Sequence, residues 1–358
     1  MKKEIKELRK KIDAIDKELI TILRQRTNLS LKIGQIKRKN GKAIFDPGRE
    51  EVIIDALKKK VKGPITPAML EEIYSTIFSI SRSLQEKEKV TYLGPEGTYS
   101  HQAADKVFRY DATLLPMPTI EDVFQEVSAS RADLGVVPVE NSTEGMVTQT
   151  LDLIASSSVY ISKEVMLPIR NALLGKGSVD QIKKVYSHPQ PIAQCRHWLR
   201  ENLPNVTIIE TTSTADAALM AKKDKTCAAI ASEYTGQLYG LKILVSNIND
   251  YPNNITRFWI ISKYTASPSK RDKTSFIITL DNAPGSLYKA LGAFAKQSIN
   301  LTKIESRPSK KNTWEYIFFV DIQGNLKDKS VKQAVAELKA YTRDIIILGS
   351  YPEGEVLN

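Results

Sequence analysis

Between residues 4 and 39, apolar side chains fall at Leu8, Ile12, Ile15, Leu19, Ile22, Leu29, Ile33 and Ile36. The steps alternate between four and three, or their sum, which keeps one face of an α-helix apolar. Such a helix is about 54 Å long at about 1.5 Å per residue, more than a unit of about 90 residues can cover by itself, so the stripe requires a second chain. Asn40-Gly41 ends the helix. Asp46-Pro47 opens a second one, with an N-cap acid and proline at the first helical position; Gly63-Pro64 stops it, and Thr66-Pro67 opens a third that reaches about Glu88.

From Val90 the texture changes to short β-branched runs followed by helical stretches, the pattern of βα units and a largely parallel sheet. Strands are expected at 90–93, 134–139, 184–187, 207–210, 228–231 and 255–262. Polar clusters follow several of them: GPEGTYSH at 94–101, ENSTEG at 140–145, SHPQP at 187–191 and TSTAD at 212–216. In α/β folds, ligands sit at the carboxyl ends of strands beside helix N-termini. Ser267 to Arg271 reads as a linker. Beyond it the order is strand 274–280, helix to about Ser298, extended 301–306, strand 315–322, helix 330–341 and strand 345–348, which is ferredoxin-like. The chain thus divides into 1–89, 90–266 and 272–358.

Composition narrows the class of protein. With 42% apolar and 26% charged residues among 358, disordered and fibrous classes are excluded, and no run of about 18 apolar residues is available to span a membrane. The N-terminus has charges threaded through it and no hydrophobic secretory core, so a cytoplasmic protein is expected. Two cysteines (Cys195, Cys227) and three histidines (His101, His188, His197) lack metal-ligand spacing, so neither a disulfide nor a metal is expected. Of the net charge of +11, residues 1–89 supply +9, from 22 Lys and Arg against 13 Asp and Glu. A basic helical segment of this kind suits an anionic surface or a compact polyanionic metabolite.

The first helix points to the metabolite. Stepping the apolar seam by four from Ile22 lands on Arg26, and Lys37 lies about 20° around the helix from it, so both cations project from one face. Asp46, Arg49 and Glu50 open the second helix; Ser81 and Gln85 stand four apart on the third. Such a bundle interior is poor as a core and good as a pocket for a small dicarboxylate bearing a hydroxyl. Over residues 5–88, LRKKIDAIDKELITILRQR, KIGQIKRKNGKAIFDPGREEVI and SISRSLQ resemble the all-α chorismate mutases. The resemblance implies that Arg9, Arg26, Lys37, Arg49, Glu50, Ser81 and Gln85 bind chorismate, with Arg9 supplied by a partner chain and Lys37 and Gln85 donating to the ether oxygen. Arg9 lies about 100° off the face of Arg26, compatible with service to another chain's pocket.

Residues 90–265 carry GPEGTYSHQAA, VVPVENSTEG, YSHPQP, TTSTADAA and NNITRF. Singly these are turns and helix caps; as a set they resemble prephenate dehydratase, which implies a two-lobed fold like that of periplasmic binding proteins. The strand 255–262 would then cross back to the first lobe and bring Thr256 to the cleft as hydrogen-bond donor or proton relay to the leaving oxygen. Glu140, Asn141, Ser187 and Gln194 would surround the substrate; Arg257 suits a carboxylate clamp or, equally, a pair with a surface acid. His101 and His188 rank second as acids, because an imidazole in a turn is more often structural.

In the third unit, Asn282-Ala283-Pro284-Gly285-Ser286-Leu287 and Glu305-Ser306-Arg307-Pro308 resemble the regulatory ACT domain of these dehydratases. This implies a phenylalanine site at a subunit interface using Asn282, Gly285, Leu287, Glu305, Ser306 and Arg307. The expectation is a cofactor-free enzyme taking chorismate and prephenate, with phenylalanine as effector, a homodimer or higher homo-oligomer, and no nucleic acid or membrane partner. A non-enzymatic ligand sensor and a dehydratase preferring arogenate are the competing readings.

Overall fold

The computed structural model describes residues 2–39, 45–84, 87–108, 112–308 and 316–357. The first helix runs Lys2–Lys39. The second, Pro47–Lys58, is capped by the Asp46 side chain, which accepts from the Arg49 amide; the third, Pro67–Ser83, is capped in the same way by Thr66. The second helix ends before the expected Gly63-Pro64 stop, because Lys58, Lys59 and Lys60 complete its last turn, where positive charge suits the C-terminal dipole. The third ends short of Glu88, whose backbone opens a strand and whose carboxylate accepts the Phe45 amide at 3.0 Å. Along the first helix, Leu8, Ile12, Ile15, Leu19, Ile22, Leu29, Ile33 and Ile36 remain between 52% and 62% exposed, so the described residues of their own chain leave more than half of each uncovered. Among the described residues, no helix is long and apolar enough to cross a membrane.

The central unit has two sheets. The first orders its strands Glu355–Val356, Tyr160–Pro168, Ile255–Ser262, Leu134–Asn141, Glu88–Leu93 and Ala112–Met117. The second orders Lys242–Val245, Asn171–Gly175, Cys227–Ser232, Lys184–Ser187 and Thr207–Glu210. These sheets are mixed rather than largely parallel. The chain leaves the first lobe at Pro168 and returns at Ile255, and the returning strand inserts antiparallel to both of its neighbours. In the second lobe, Asn171–Gly175 likewise runs antiparallel to both Cys227–Ser232 and Lys242–Val245.

The third unit is a four-stranded antiparallel sheet ordered Leu301–Pro308, Tyr316–Gln323, Asp272–Thr279, Asp344–Pro352. The helices Ser286–Lys296 and Lys329–Leu338 pack on one face through Phe276, Ile278, Phe294 and Leu338. Strand alternation sends Ile277, Phe319 and Leu348 to the other face, where they share a core with Ile161 and Trp259 of the first lobe. The C-terminal strand Glu355–Val356 pairs with Val165 and Met166 and so extends the first-lobe sheet. At the seam Gly349 has φ 150°, and a Cβ there would lie 2.4 Å from the Ile161 carbonyl oxygen. Gly349→Ala must therefore push the two sheets apart, and we expect it to cost about 1–3 kcal/mol, read as a lowered midpoint in thermal unfolding.

Candidate active sites

In the helical unit, the Arg26 guanidinium donates to Ser81 Oγ at 2.8 Å and lies 5.2 Å over the Phe78 ring. The Lys37 ammonium stands 3.6 Å from Asp46, and Glu50 pairs with Arg82, which is itself buried and lies 5.2 Å over the Phe45 ring. Because Ser81 and Arg82 are neighbours, the first and second helices are tied to the same turn of the third. Arg9 and Arg49 are exposed, and Gln85 lies outside the described residues. Arg82 was not singled out in the sequence, although it sits inside the SISRSLQ segment; its conversion from a surface cation to a buried partner of Glu50 depends on Phe45, a distant aromatic.

In the central unit, Thr256 faces Asn141 across the ladder between Ile255–Ser262 and Leu134–Asn141. Asn141 Nδ2 donates to Thr256 Oγ1 at 2.9 Å and to Asn254 Oδ1 at 2.8 Å. Its Oδ1 accepts from the Thr143 amide at 3.0 Å, the Thr143 hydroxyl at 2.6 Å and the Glu144 amide at 3.2 Å. Three donors on one oxygen fix which end of the amide points at threonine. With a lone pair of Oγ1 occupied, the Thr256 proton is left to point at a ligand. Asn254 Nδ2 is buried without a protein partner. It stands two residues before Thr256 in NNITRF, a segment that alone gave no reason to separate its two asparagines.

The lobes meet at Gln194, which donates to Glu144 of the first lobe at 2.9 Å and accepts from Asn171 at 3.2 Å; Asn171 in turn accepts from Tyr99 at 2.8 Å. Glu144, Asn171 and Tyr99 thus join the seam without having been named from the sequence. Ser187 is buried, and its hydroxyl donates to the Ile230 carbonyl at 2.7 Å. An interlobe cleft of about 640 Å³ is lined by Tyr99, Lys106, Arg170, Glu233 and Tyr234, with none of the expected substrate residues on its wall.

Two expected substrate ligands are placed elsewhere. Arg257 is buried against the third unit, bonded to Glu164 at 2.6 Å and Asp321 at 2.7 Å. Glu140 is held by Lys303 at 2.5 Å. The physical reason is strand alternation: if Thr256 faces the lobe seam, Arg257 must face away from it.

In the third unit, Asn282 and Gly285 are exposed in the turn before Ser286–Lys296, and Leu287 packs against the core. Gly285 has φ 84°, a conformation that glycine adopts without strain. On the edge strand Leu301–Pro308, Ser306 is exposed while Lys303, Glu305 and Arg307 share the half-buried face. Arg307 donates to the Thr148 carbonyl at 3.0 Å and pairs with Asp152 at 3.4 Å, so it reaches the central unit.

A helical bundle with interior cations, a two-lobed α/β unit and a ferredoxin-like unit define a multidomain metabolic enzyme, and each part matches a family model: chorismate mutase type II over residues 8–86, prephenate dehydratase over 90–266 and the ACT domain over 274–340. The bifunctional chorismate mutase/prephenate dehydratase of Aquifex aeolicus (strain VF5) is 47% identical over 355 residues, covering 98% of each chain. The chain belongs to that bifunctional family. Among solved structures, the prephenate dehydratase of Arthrobacter aurescens in complex with L-Phe aligns with TM-score 0.68 at 35% identity, covering 74% of this chain and 90% of that one. GqqA, described as a novel type of quorum quenching acylase, aligns with TM-score 0.67 at 30% identity, covering 74% and 97%. The architecture therefore houses more than one named chemistry, and the reaction has to be argued from residues.

His101 illustrates such an argument. Its Nδ1 accepts the Gly97 amide at 3.0 Å, its ring stacks on Tyr92 at 4.8 Å, and burial holds its pKa below the ordinary imidazole value. The folded chain therefore takes up this proton at a lower pH than the unfolded chain, whose imidazole titrates near pH 6.5. Stability is therefore lost as pH falls below about 6.5, until the folded imidazole protonates too. His101→Asn should flatten that part of the stability–pH curve, as measured by urea unfolding between about pH 5 and 8.

Proposed function

We propose that the helical unit converts chorismate to prephenate, that the central unit converts prephenate to phenylpyruvate, and that phenylalanine acts on the second reaction through the third unit. The observation that carries the dehydratase half is the Asn141 amide, locked by three donors and bonded to Thr256 Oγ1 at 2.9 Å. In the dehydration, the bond from the ring carbon to its hydroxyl breaks as the bond to the ring carboxylate breaks. The electron pair released by carbon dioxide enters the ring, and the hydroxide leaves as water after gaining a proton. Thr256 passes its hydroxyl proton to the departing oxygen and regains one from solvent, while Asn141 donates to the charge that develops on Oγ1 in between. The unpartnered Asn254 amide and Gln194 supply further donors to the substrate. In the mutase half, Arg26 and Arg49 hold carboxylates, Glu50 accepts from the hydroxyl, and Lys37 and Gln85 donate to the ether oxygen on which charge grows during the pericyclic shift.

The exposed stripe on the first helix supports assembly with a second copy, which would bring Arg9 to the neighbouring pocket. Asn282, Gly285 and Leu287 with the Glu305–Arg307 segment form the proposed phenylalanine site, and the cytoplasm is the proposed compartment. These readings are tested by following prephenate and phenylpyruvate from chorismate. Thr256→Ala should lower phenylpyruvate formation by about 10²–10⁴-fold while prephenate accumulates. Arg26→Ala should lower mutase turnover by about 10²–10³-fold and spare added prephenate. Loss of both activities in either folded variant contradicts two separate sites. Mixing Arg9→Ala and Arg26→Ala proteins should restore part of the mutase activity; failure despite demonstrated mixed dimers removes Arg9 from the partner's pocket.

A further inference from the structure

We propose that Arg257 is a positioning residue for Thr256, held in register by Asp321 and Lys303 of the third unit, so that dehydratase turnover depends on how that unit is seated. This rests on the assignment of the dehydratase reaction to the Thr256 site.

Six charged groups meet where the third unit's sheet covers the first-lobe sheet. Arg257, Glu164 and Glu140 come from the central unit; Lys273, Asp321 and Lys303 come from the third. Arg257 Nε bonds Glu164 at 2.6 Å, its Nη2 bonds Asp321 at 2.7 Å and the Tyr351 hydroxyl at 3.3 Å, and its Nη1 stands 3.8 Å from Glu140. Lys273 bonds the other Glu164 oxygen at 2.6 Å, Lys303 bonds Glu140 at 2.5 Å, and Ser275 bonds Asp321 at 2.5 Å. Glu164 is fully buried, and Arg257, Lys273 and Asp321 are nearly so. The central half of the cluster has one cation and two anions; the third unit's half has two cations and one anion. Neither half is neutral, and their docking balances the charge around the four buried members, Glu164, Arg257, Lys273 and Asp321, while Lys303 and Glu140 stay partly exposed at its edge.

The placement of this cluster relative to Thr256 gives it a catalytic consequence. Thr256 pairs with Asn141 and Arg257 with Glu140 in successive rungs of one ladder. On one face of those two rungs lies the Asn141–Thr256 hydrogen bond; on the other lie the two residues gripped by Asp321 and Lys303. One peptide unit, about 3.8 Å between α-carbons, separates Arg257 from Thr256. A β-bulge follows at Arg257/Phe258, so the register here can yield without unzipping the whole strand. A movement of the third unit that drags Asp321 and Lys303 must therefore drag Arg257 and Glu140, and with them the hydroxyl and amide on the opposite face.

A carboxylate clamp and a positioning residue predict different kinetics. The test is steady-state turnover of prephenate by the full-length chain, wild type against Asp321→Asn, Lys303→Met, Arg257→Met and Arg257→Lys, with mutase turnover of chorismate measured on each. Asp321→Asn is isosteric, and Lys303 is only half-buried, so these two do not depend on the fold surviving loss of the buried guanidinium. We expect Asp321→Asn and Lys303→Met each to lower dehydratase kcat about tenfold, with KM and mutase rate within about twofold of wild type, and Arg257→Lys to recover part of what Arg257→Met loses. Phenylalanine should change kcat less in both third-unit variants than in wild type. Wild-type kcat in folded Asp321→Asn and Lys303→Met overturns the positioning role while leaving the dehydratase assignment intact. So does a selective rise in KM with Arg257→Met. Absence of prephenate turnover by wild type overturns both.

Discussion

The strand Ile255–Ser262 is hydrogen-bonded along its length to Leu134–Asn141 on one side and Tyr160–Pro168 on the other, and most of the architecture hangs on those two ladders. They close the first lobe after the chain has built the second, and they set Thr256 and Arg257 on opposite faces of one sheet. Every residue from Thr256 to Ser262 is buried, so the strand cannot slip by one position without exchanging the side chains of two packed cores, Trp259 and Ile261 on one face and Phe258 and Ile260 on the other. The hydroxyl proposed to act in the dehydration and an interdomain guanidinium can sit on adjacent residues because the pleat keeps them apart.

A buried ion cluster is costly, and an apolar seam of the same shape would be at least as stable. The seam already has an apolar portion in Ile161, Trp259, Ile277, Phe319 and Leu348, so adhesion does not require the charges. They add directional contacts: Glu164 receives Arg257, Lys273 and the Gly354 amide at once, which fixes the angle at which the third unit and its C-terminal strand settle. Apolar contacts alone would tolerate sliding, whereas a carboxylate with three donors does not.

This division also explains what could be read from the sequence. The N-caps Asp46 and Thr66, the long first helix and the strand 255–262 are local features, carried by the residues that form them. Tyr160–Pro168 is not legible because Lys163 and Glu164 interrupt its apolar run, and Glu164 becomes a core residue only through Arg257, Lys273 and Gly354, 93, 109 and 190 positions away. For Arg257 half the answer was available. Period-two alternation already forbade it from sharing the cleft with Thr256, but nothing nearby in sequence says that Asp321 waits on the other side. Asn254 and Gln194 behave alike: their residue types are visible, but Asn141 and Glu144, which they meet, lie 113 and 50 positions away.

Asp46 extends the same logic to the helical unit. One oxygen of its carboxylate caps the second helix by accepting the Arg49 amide at 3.2 Å; the other accepts the Ser267 hydroxyl at 3.0 Å and lies 3.6 Å from the Lys37 ammonium. Ser267 belongs to the segment joining the central and third units, and Lys270 in that segment reaches Asp55 at 3.0 Å. A single side chain thus connects the start of the second helix, a cation of the proposed mutase pocket and the linker to the third unit. Exposed ion pairs contribute little to stability. Their value here is geometric, since a rotation of the linker about Ser267 would disturb the same Asp46 oxygen that faces Lys37. Polar contacts behind Thr256 and beside Lys37 thus place both proposed sites next to residues that hold the third unit or its linker.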